Sequence, residues 1–310
     1  MKYFRYYPWA LQLLLFVLMV FTLAFFAASM AIVFIPAFTG YNFVQLEKQM
    51  GLIDIHSPAA LIDVAMIVQG IFSLFVFLVP ALLFSYLTHP EPAKYLGFRK
   101  PGKWIQLLLV VFIMLGAAPV LQKIEELMGH IDFGAKVKSS QAANDNIMAA
   151  FLHMPTLVAF IRAFIVMAII PAFGEEMFFR GVFMRLAKKK SQTMVAPILL
   201  TAIIFAWSHS NTYGYISIFL AGVLLAVIYN ITGSLWCSIV AHLFFNGFQI
   251  VASYLSNPPV ENNAETPYYL VAAGAVVFGI SFYLLLKNKT PLPPNWTDDF
   301  TGEEFAQNVT

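Results

Sequence analysis

With 310 residues, 60% of them hydrophobic and only 11% charged, and a mean hydropathy of +0.77, the chain cannot cover its surface for water. A formal net charge of +2 gives no reason to expect a nucleic-acid partner. The single cysteine, Cys237, excludes an internal disulfide and any cysteine-built iron–sulfur or structural zinc site, and it reads as a small buried hydrophobe.

The predicted elements begin with an apolar run from Trp9 to Phe38, preceded by Lys2 and Arg5. This run is longer than the roughly 7–15 residues of a signal-peptide core, so it is read as a retained first transmembrane helix. A spanning helix needs about 20 mainly apolar residues. Candidates fall at 9–37, 58–88, 103–121, 156–187, 195–210, 213–231, 234–254 and 267–287. The fold class is therefore an all-α polytopic membrane protein, a bundle of about eight transmembrane helices.

Residues 122–154 mix Glu125, Glu126, Asp132, Lys136, Lys138 and Asn144 with apolar positions, and are read as amphipathic helix and loop on the outer face. The tail from 290 to 310 is rich in Pro, Asp and Glu and is read as disordered in the cytoplasm. Charge sets the expected orientation. One set of connections holds Lys2, Arg5, Lys94, Arg99, Lys100, Lys103, Arg185, Lys188, Lys189, Lys190, Lys287 and Lys289. The other holds Lys48, Lys123, Lys136 and Lys138. The first set belongs inside, which needs an even number of spans and places both termini in the cytoplasm.

Ionisable side chains within a span cost a few kcal/mol each on insertion scales, so each is a functional candidate. Glu175, Glu176 and Arg180 occur in one apolar segment, His209 in a second, and His242 with Asn246 in a third. At 1.5 Å per helical residue, Glu175, His209, His242 and Asn246 lie about 15–20 Å from the basic end of their helices, and so at similar depth on the cytoplasmic side. Glu176 and Arg180 are i and i+4, which permits a buried ion pair and leaves Glu175 free to meet His209. His242 and Asn246 are also i and i+4 and share a face. Such a set suits hydrolysis by activated water, with Glu175 or His209 taking the proton and His242 and Asn246 donating to an oxyanion. A Glu175–His209–His242 zinc set is the alternative. The His-Glu-x-x-His helix of zinc proteases is absent, so metal-free hydrolysis is favoured. Asp63 and Arg162 are read as helix-pairing residues near the outer ends of their helices, and His56, His89, His130 and His153 as solvated.

In order along the chain, Glu175-Glu176-x-x-x-Arg180, Phe205-x-x-x-His209 and His242-x-x-x-Asn246 resemble the three motifs of the CPBP group. That group comprises type II CAAX prenyl endopeptidases and bacteriocin-processing and self-immunity proteins, also called the Abi family. The resemblance covers residues 155–255, the family's four-helix catalytic core. Residues 1–154 then form about three N-terminal helices with the amphipathic outer segment, and 256–289 the last transmembrane helix.

The resemblance implies an intramembrane endopeptidase whose cavity opens to the cytoplasm. Glu175 and His209 would activate water, His242 and Asn246 would form the oxyanion hole, and Glu176 and Arg180 would support them. The family has been described both as metalloprotease and as glutamate-type protease. The implied partner is a membrane-associated or lipidated peptide or protein in the bilayer, and the short chain looks like one from a prokaryotic inner membrane. The rivals are a proton-coupled transporter and a non-catalytic scaffold or immunity factor.

Overall fold

The computed structural model describes residues 3–40, 43–256, 265–293 and 296–297, and all of its regular structure is helical. The helices are α1 (Trp9–Thr39), α2 (Phe43–Met50), α3 (Ala59–Thr88), α4 (Pro92–Leu96), α5 (Ile105–Gly129), α6 (Ala135–Leu152) and α7 (Leu157–Lys188). They continue with α8 (Val195–Trp207), α9 (Tyr215–Thr232), α10 (Leu235–Leu255) and α11 (Tyr268–Lys287). Seven of them, α1, α3, α5, α7, α9, α10 and α11, are long and apolar enough to cross a membrane. The chain is an integral membrane protein. The remaining apolar element, α8, has 13 residues and a length of about 20 Å, short of a hydrocarbon core of about 30 Å.

Contacts at the helix ends sort the chain into two poles. At one pole Trp9 Nε1 donates to the Leu186 carbonyl, Lys189 to Gln12, Ser234 Oγ to the Arg99 carbonyl, and Lys103 to Asn288. At the other, Asn144 Nδ2 donates to the Ser210 carbonyl, Asn211 Nδ2 to Glu125, and Ser253 Oγ to the Leu152 carbonyl. Short as it is, α8 leads from the first pole towards the second.

Three departures from the sequence reading have a local cause. The third span does not stop near residue 121 but continues to Gly129. Its polar last turns are satisfied within the fold: Lys123 pairs with Glu126 at 2.9 Å, and Glu126 accepts from the Thr266 backbone N–H at 2.8 Å. The tail is not loose from residue 290. Thr290 N donates to the Ile231 carbonyl and Leu292 N to that of Asn230. Trp296 is buried, its carbonyl accepting from Arg185. The other tail residues lie outside those described, apart from Pro291, Pro293 and Thr297. His89 is likewise buried rather than solvated, its Nδ1 accepting the Glu91 N–H at 2.9 Å. The Asp63–Arg162 pair forms at 2.5 Å and ties α3 to α7.

Long helices here depart from α geometry at defined places. Wide π turns occur at Leu74–Leu78 and Ile165–Ile169, each followed two residues later by a proline, Pro80 and Pro171. A proline inside a helix lacks the N–H for the carbonyl four residues back and crowds it, and a widened turn relieves that conflict. A third π segment, Met177–Phe183, immediately follows the two glutamates. Elsewhere small residues let helices close: Gly116 of α5 and Gly274 of α11 meet so tightly that a Cβ on Gly116 would lie 2.5 Å from the Phe278 amide nitrogen.

Candidate active site

The three motifs converge. Glu176 is fully buried, and its Oε1 accepts from Arg180 Nη1 at 2.5 Å and His242 Nδ1 at 2.9 Å. Its Oε2 accepts from Ser238 Oγ at 2.5 Å. The π segment after Glu176 closes its turns on i→i+5 bonds, which brings side chains four apart close to alignment along the helix. Arg180, also fully buried, donates through Nη2 to the Gly222 carbonyl at 2.9 Å and lies over the Phe205 ring, 5.1 Å from its centroid. A charge pair in this setting survives because both ions are hydrogen-bonded on several sides. Helices α7, α9 and α10 are thereby joined through one carboxylate and one guanidinium.

Glu175 points elsewhere. It is 7% exposed, and its Oε2 has no hydrogen-bond partner among the described residues. It faces His209 Nε2 at 3.9 Å, beyond direct hydrogen-bond range. The His209 side chain is 32% exposed. It sits in the turn just past α8 rather than inside the helix as its spacing suggested, because α8 ends at Trp207. Its Nδ1 lies 2.7 Å from the Phe205 carbonyl. A carbonyl can only accept, so Nδ1 carries the proton, and in the neutral ring Nε2 turns a lone pair towards Glu175. The next residue, Ser210, has φ of 51° and is the sole non-glycine with positive φ among the described residues; backbone strain of this kind concentrates at functional turns.

Phe205 connects the two histidines, with ring centroids 4.7 Å from His209 and 6.0 Å from His242. Asn246 Nδ2 donates at 3.1 Å to the carbonyl of Met167. That carbonyl lies four residues before Pro171, which has no N–H to give it, so the side chain supplies a donor that the helix backbone lacks. One amide hydrogen of Asn246 stays uncommitted.

Two participants escaped the sequence reading. Ser238 is four residues before His242, so Ser238, His242 and Asn246 form one polar stripe on an apolar helix, a signal visible in the spacing. The Met167 carbonyl had a signal only in the position of Pro171. As to the alternative Glu175–His209–His242 zinc set, among the described residues no three His, Cys, Asp or Glu side chains are grouped to hold a metal ion. His242 turns Nδ1 to Glu176, and His209 turns Nδ1 to a backbone carbonyl.

Residues 157–248 match the family model for type II CAAX prenyl endopeptidase Rce1-like proteins. The matched stretch contains Glu175, Glu176, Arg180, His209, His242 and Asn246. No curated protein and no solved structure shows a significant match to the chain. This family match, over a core in which the three motifs meet at one site, supports membership of the CPBP family of type II CAAX prenyl endopeptidase-like membrane proteins.

Proposed function

We propose that the protein is an intramembrane endopeptidase that hydrolyses a peptide bond with water activated between Glu175 and His209, without a metal. The carrying observation is the 3.9 Å separation of Glu175 Oε2 and His209 Nε2, two acceptors facing each other across a gap that one water molecule can bridge by donating to both. As the water oxygen bonds to the substrate carbonyl carbon, its proton passes to Glu175 and the carbonyl electron pair moves onto oxygen. The second O–H of the attacking water stays on the His209 lone pair, which holds the nucleophile in line. Collapse re-forms the carbonyl, breaks the C–N bond, and sends the proton held by Glu175 to the leaving amine.

His242 Nε2 and the free amide hydrogen of Asn246 are the donors for the oxyanion. With Nδ1 given to Glu176, Nε2 donates only when the ring carries both protons. Glu176, Arg180 and Ser238 are positioning residues that orient His242.

The substrate class is a membrane-associated or lipidated peptide, as the family match supports. The short, loop-poor chain suits a prokaryotic cell (inner) membrane, and its lysine and arginine distribution favours both termini in the cytoplasm. Reconstituted wild type and Glu175→Gln, compared on lipidated and unlipidated peptides with and without a zinc chelator, test the mechanism. Cleavage that survives chelator and is lost in Glu175→Gln is expected. Cleavage lost with chelator would overturn the metal-free mechanism.

A further inference from the structure

We infer that Glu125 and Asn144 are positioning residues for His209: from two separate helices they hold the turn after α8, and through it the gap between His209 and Glu175. The kinetic consequence rests on the proposed peptidase activity, whereas the hold on the His209 ring does not.

Helix α8 by itself fixes His209 weakly. The helix ends at Trp207, and the backbone bonds beyond it lengthen, from 3.0 Å at the Ser208 N–H to 3.2 Å at His209 and 3.4 Å at Ser210. Ser210 then takes a φ of 51°, a conformation uncommon outside glycine. Such a turn keeps its shape only where other groups impose it.

Those groups come from α5 and α6. Asn144 of α6 donates through Nδ2 to the Ser210 carbonyl at 3.2 Å. Glu125, near the end of α5, accepts from Asn211 Nδ2 at 3.1 Å. Asn211 is bonded through its other amide atom as well, its Oδ1 accepting the Gly214 N–H at 2.7 Å. Glu125 therefore steadies the whole run from Asn211 to the start of α9. The packing leaves no slack: a Cβ on Gly214 would lie 2.5 Å from Asn211 Nδ2 and 3.0 Å from Glu125 Oε1. The end of α5 is itself anchored, because the neighbouring Glu126 accepts from the Thr266 N–H and pairs with Lys123. Glu125 is mounted on a fixed base.

The proposed reaction depends on this hold. His209 Nε2 must stand off Glu175 Oε2 by the span of one water, 3.9 Å between the two atoms. A misplacement of about 1 Å in such a geometry costs on the order of 10²-fold in rate. Glu175 rides on the packed α7, so the position of the His209 turn decides the gap. The role of Glu125 needs an acceptor and not a charge, since an amide oxygen accepts from Asn211 as a carboxylate does.

Glu125→Ala, Glu125→Gln, Asn144→Ala and, as a control on α6, Asp145→Ala are compared with wild type by turnover of the lipidated and unlipidated peptides. Asp145 is exposed and bonded to Gln141. The second readout is the side-chain nitrogen NMR spectrum of histidine-labelled protein at a pH where the rings are neutral. Loss of signals in His209→Ala assigns those of His209. In wild type the bond to the Phe205 carbonyl fixes the proton on Nδ1. Glu125→Ala and Asn144→Ala are expected to lower kcat by about 10–10²-fold at unchanged KM, and to release the ring into a mixture of its two tautomers. Glu125→Gln and Asp145→Ala should keep both properties near wild type. A His209 spectrum unchanged in both Glu125→Ala and Asn144→Ala would overturn the inference, as would Glu125→Gln behaving like Glu125→Ala. Asn144→Ala decides the matter should Glu125→Ala fail to fold. A wild type that cleaves none of the peptides would count against the peptidase reading alone, with the spectra still deciding the hold on His209.

Discussion

Glu175 and Glu176 are adjacent in sequence, yet their carboxylates do opposite things: Glu176 is enclosed by Arg180, His242 and Ser238, while Glu175 Oε2 is unpartnered among the described residues and faces His209. Neighbouring residues on a helix are about 100° apart, so one can brace the site while the other faces the reacting groups. The two glutamates should therefore fail in different ways.

Glu175→Gln and His209→Ala are expected to abolish hydrolysis while leaving the thermal unfolding midpoint in detergent close to wild type. Neither side chain holds helices together, and each removes one of the two groups facing the attacking water. Wild-type turnover in either variant would remove that residue from its role.

Glu176→Gln should instead lower stability by about 3–5 kcal/mol, because it leaves Arg180 buried without its counter-charge. The double variant Glu176→Gln/Arg180→Met is expected to recover part of that loss. A denaturation series in detergent measures both, and strict additivity of the two single changes would contradict a direct pair.

Ser238→Ala should cost about 1.5–3 kcal/mol, the range for a hydrogen bond to a charged group. Its kinetic signature is a lower kcat at unchanged KM, since Ser238 acts on Glu176 and His242 rather than on substrate. A change confined to KM would argue against a positioning role.

Asn246→Ala is expected to slow hydrolysis by about 10²–10³-fold if its amide is one oxyanion donor. It also strips the Met167 carbonyl of a donor, so some of the loss would be structural. Pro171→Ala supplies a backbone N–H in the right place. The double variant should regain stability without regaining rate, and recovery of rate would mean that Asn246 serves the helix alone.

Gly116→Leu should separate α5 from α11 and destabilise the bundle, because the added side chain meets the backbone at Phe278, which cannot move aside as a rotamer can. Thermal unfolding in detergent reads this directly, with Gly129→Leu as the control at a glycine with open space around it.

Apolar run length alone located the helices: the expected spans at 58–88, 156–187 and 267–287 differ from α3, α7 and α11 by only a residue at either end. Burying a charge in lipid is so costly that Glu175, Glu176, Arg180, His209, His242 and Asn246 stood out as candidates in a sequence that otherwise avoids such residues. The i, i+4 spacing of Glu176 and Arg180 was likewise enough to foresee their pairing, since both partners sit on one helix. What lay beyond the sequence depends on distances between helices. That His242 turns to Glu176 rather than to Glu175, that Asn246 reaches a carbonyl four residues before Pro171, and that Trp296 packs against Arg185 all follow from how separate segments pack. All of these are distances between groups on different segments, which hydropathy along a single segment cannot encode.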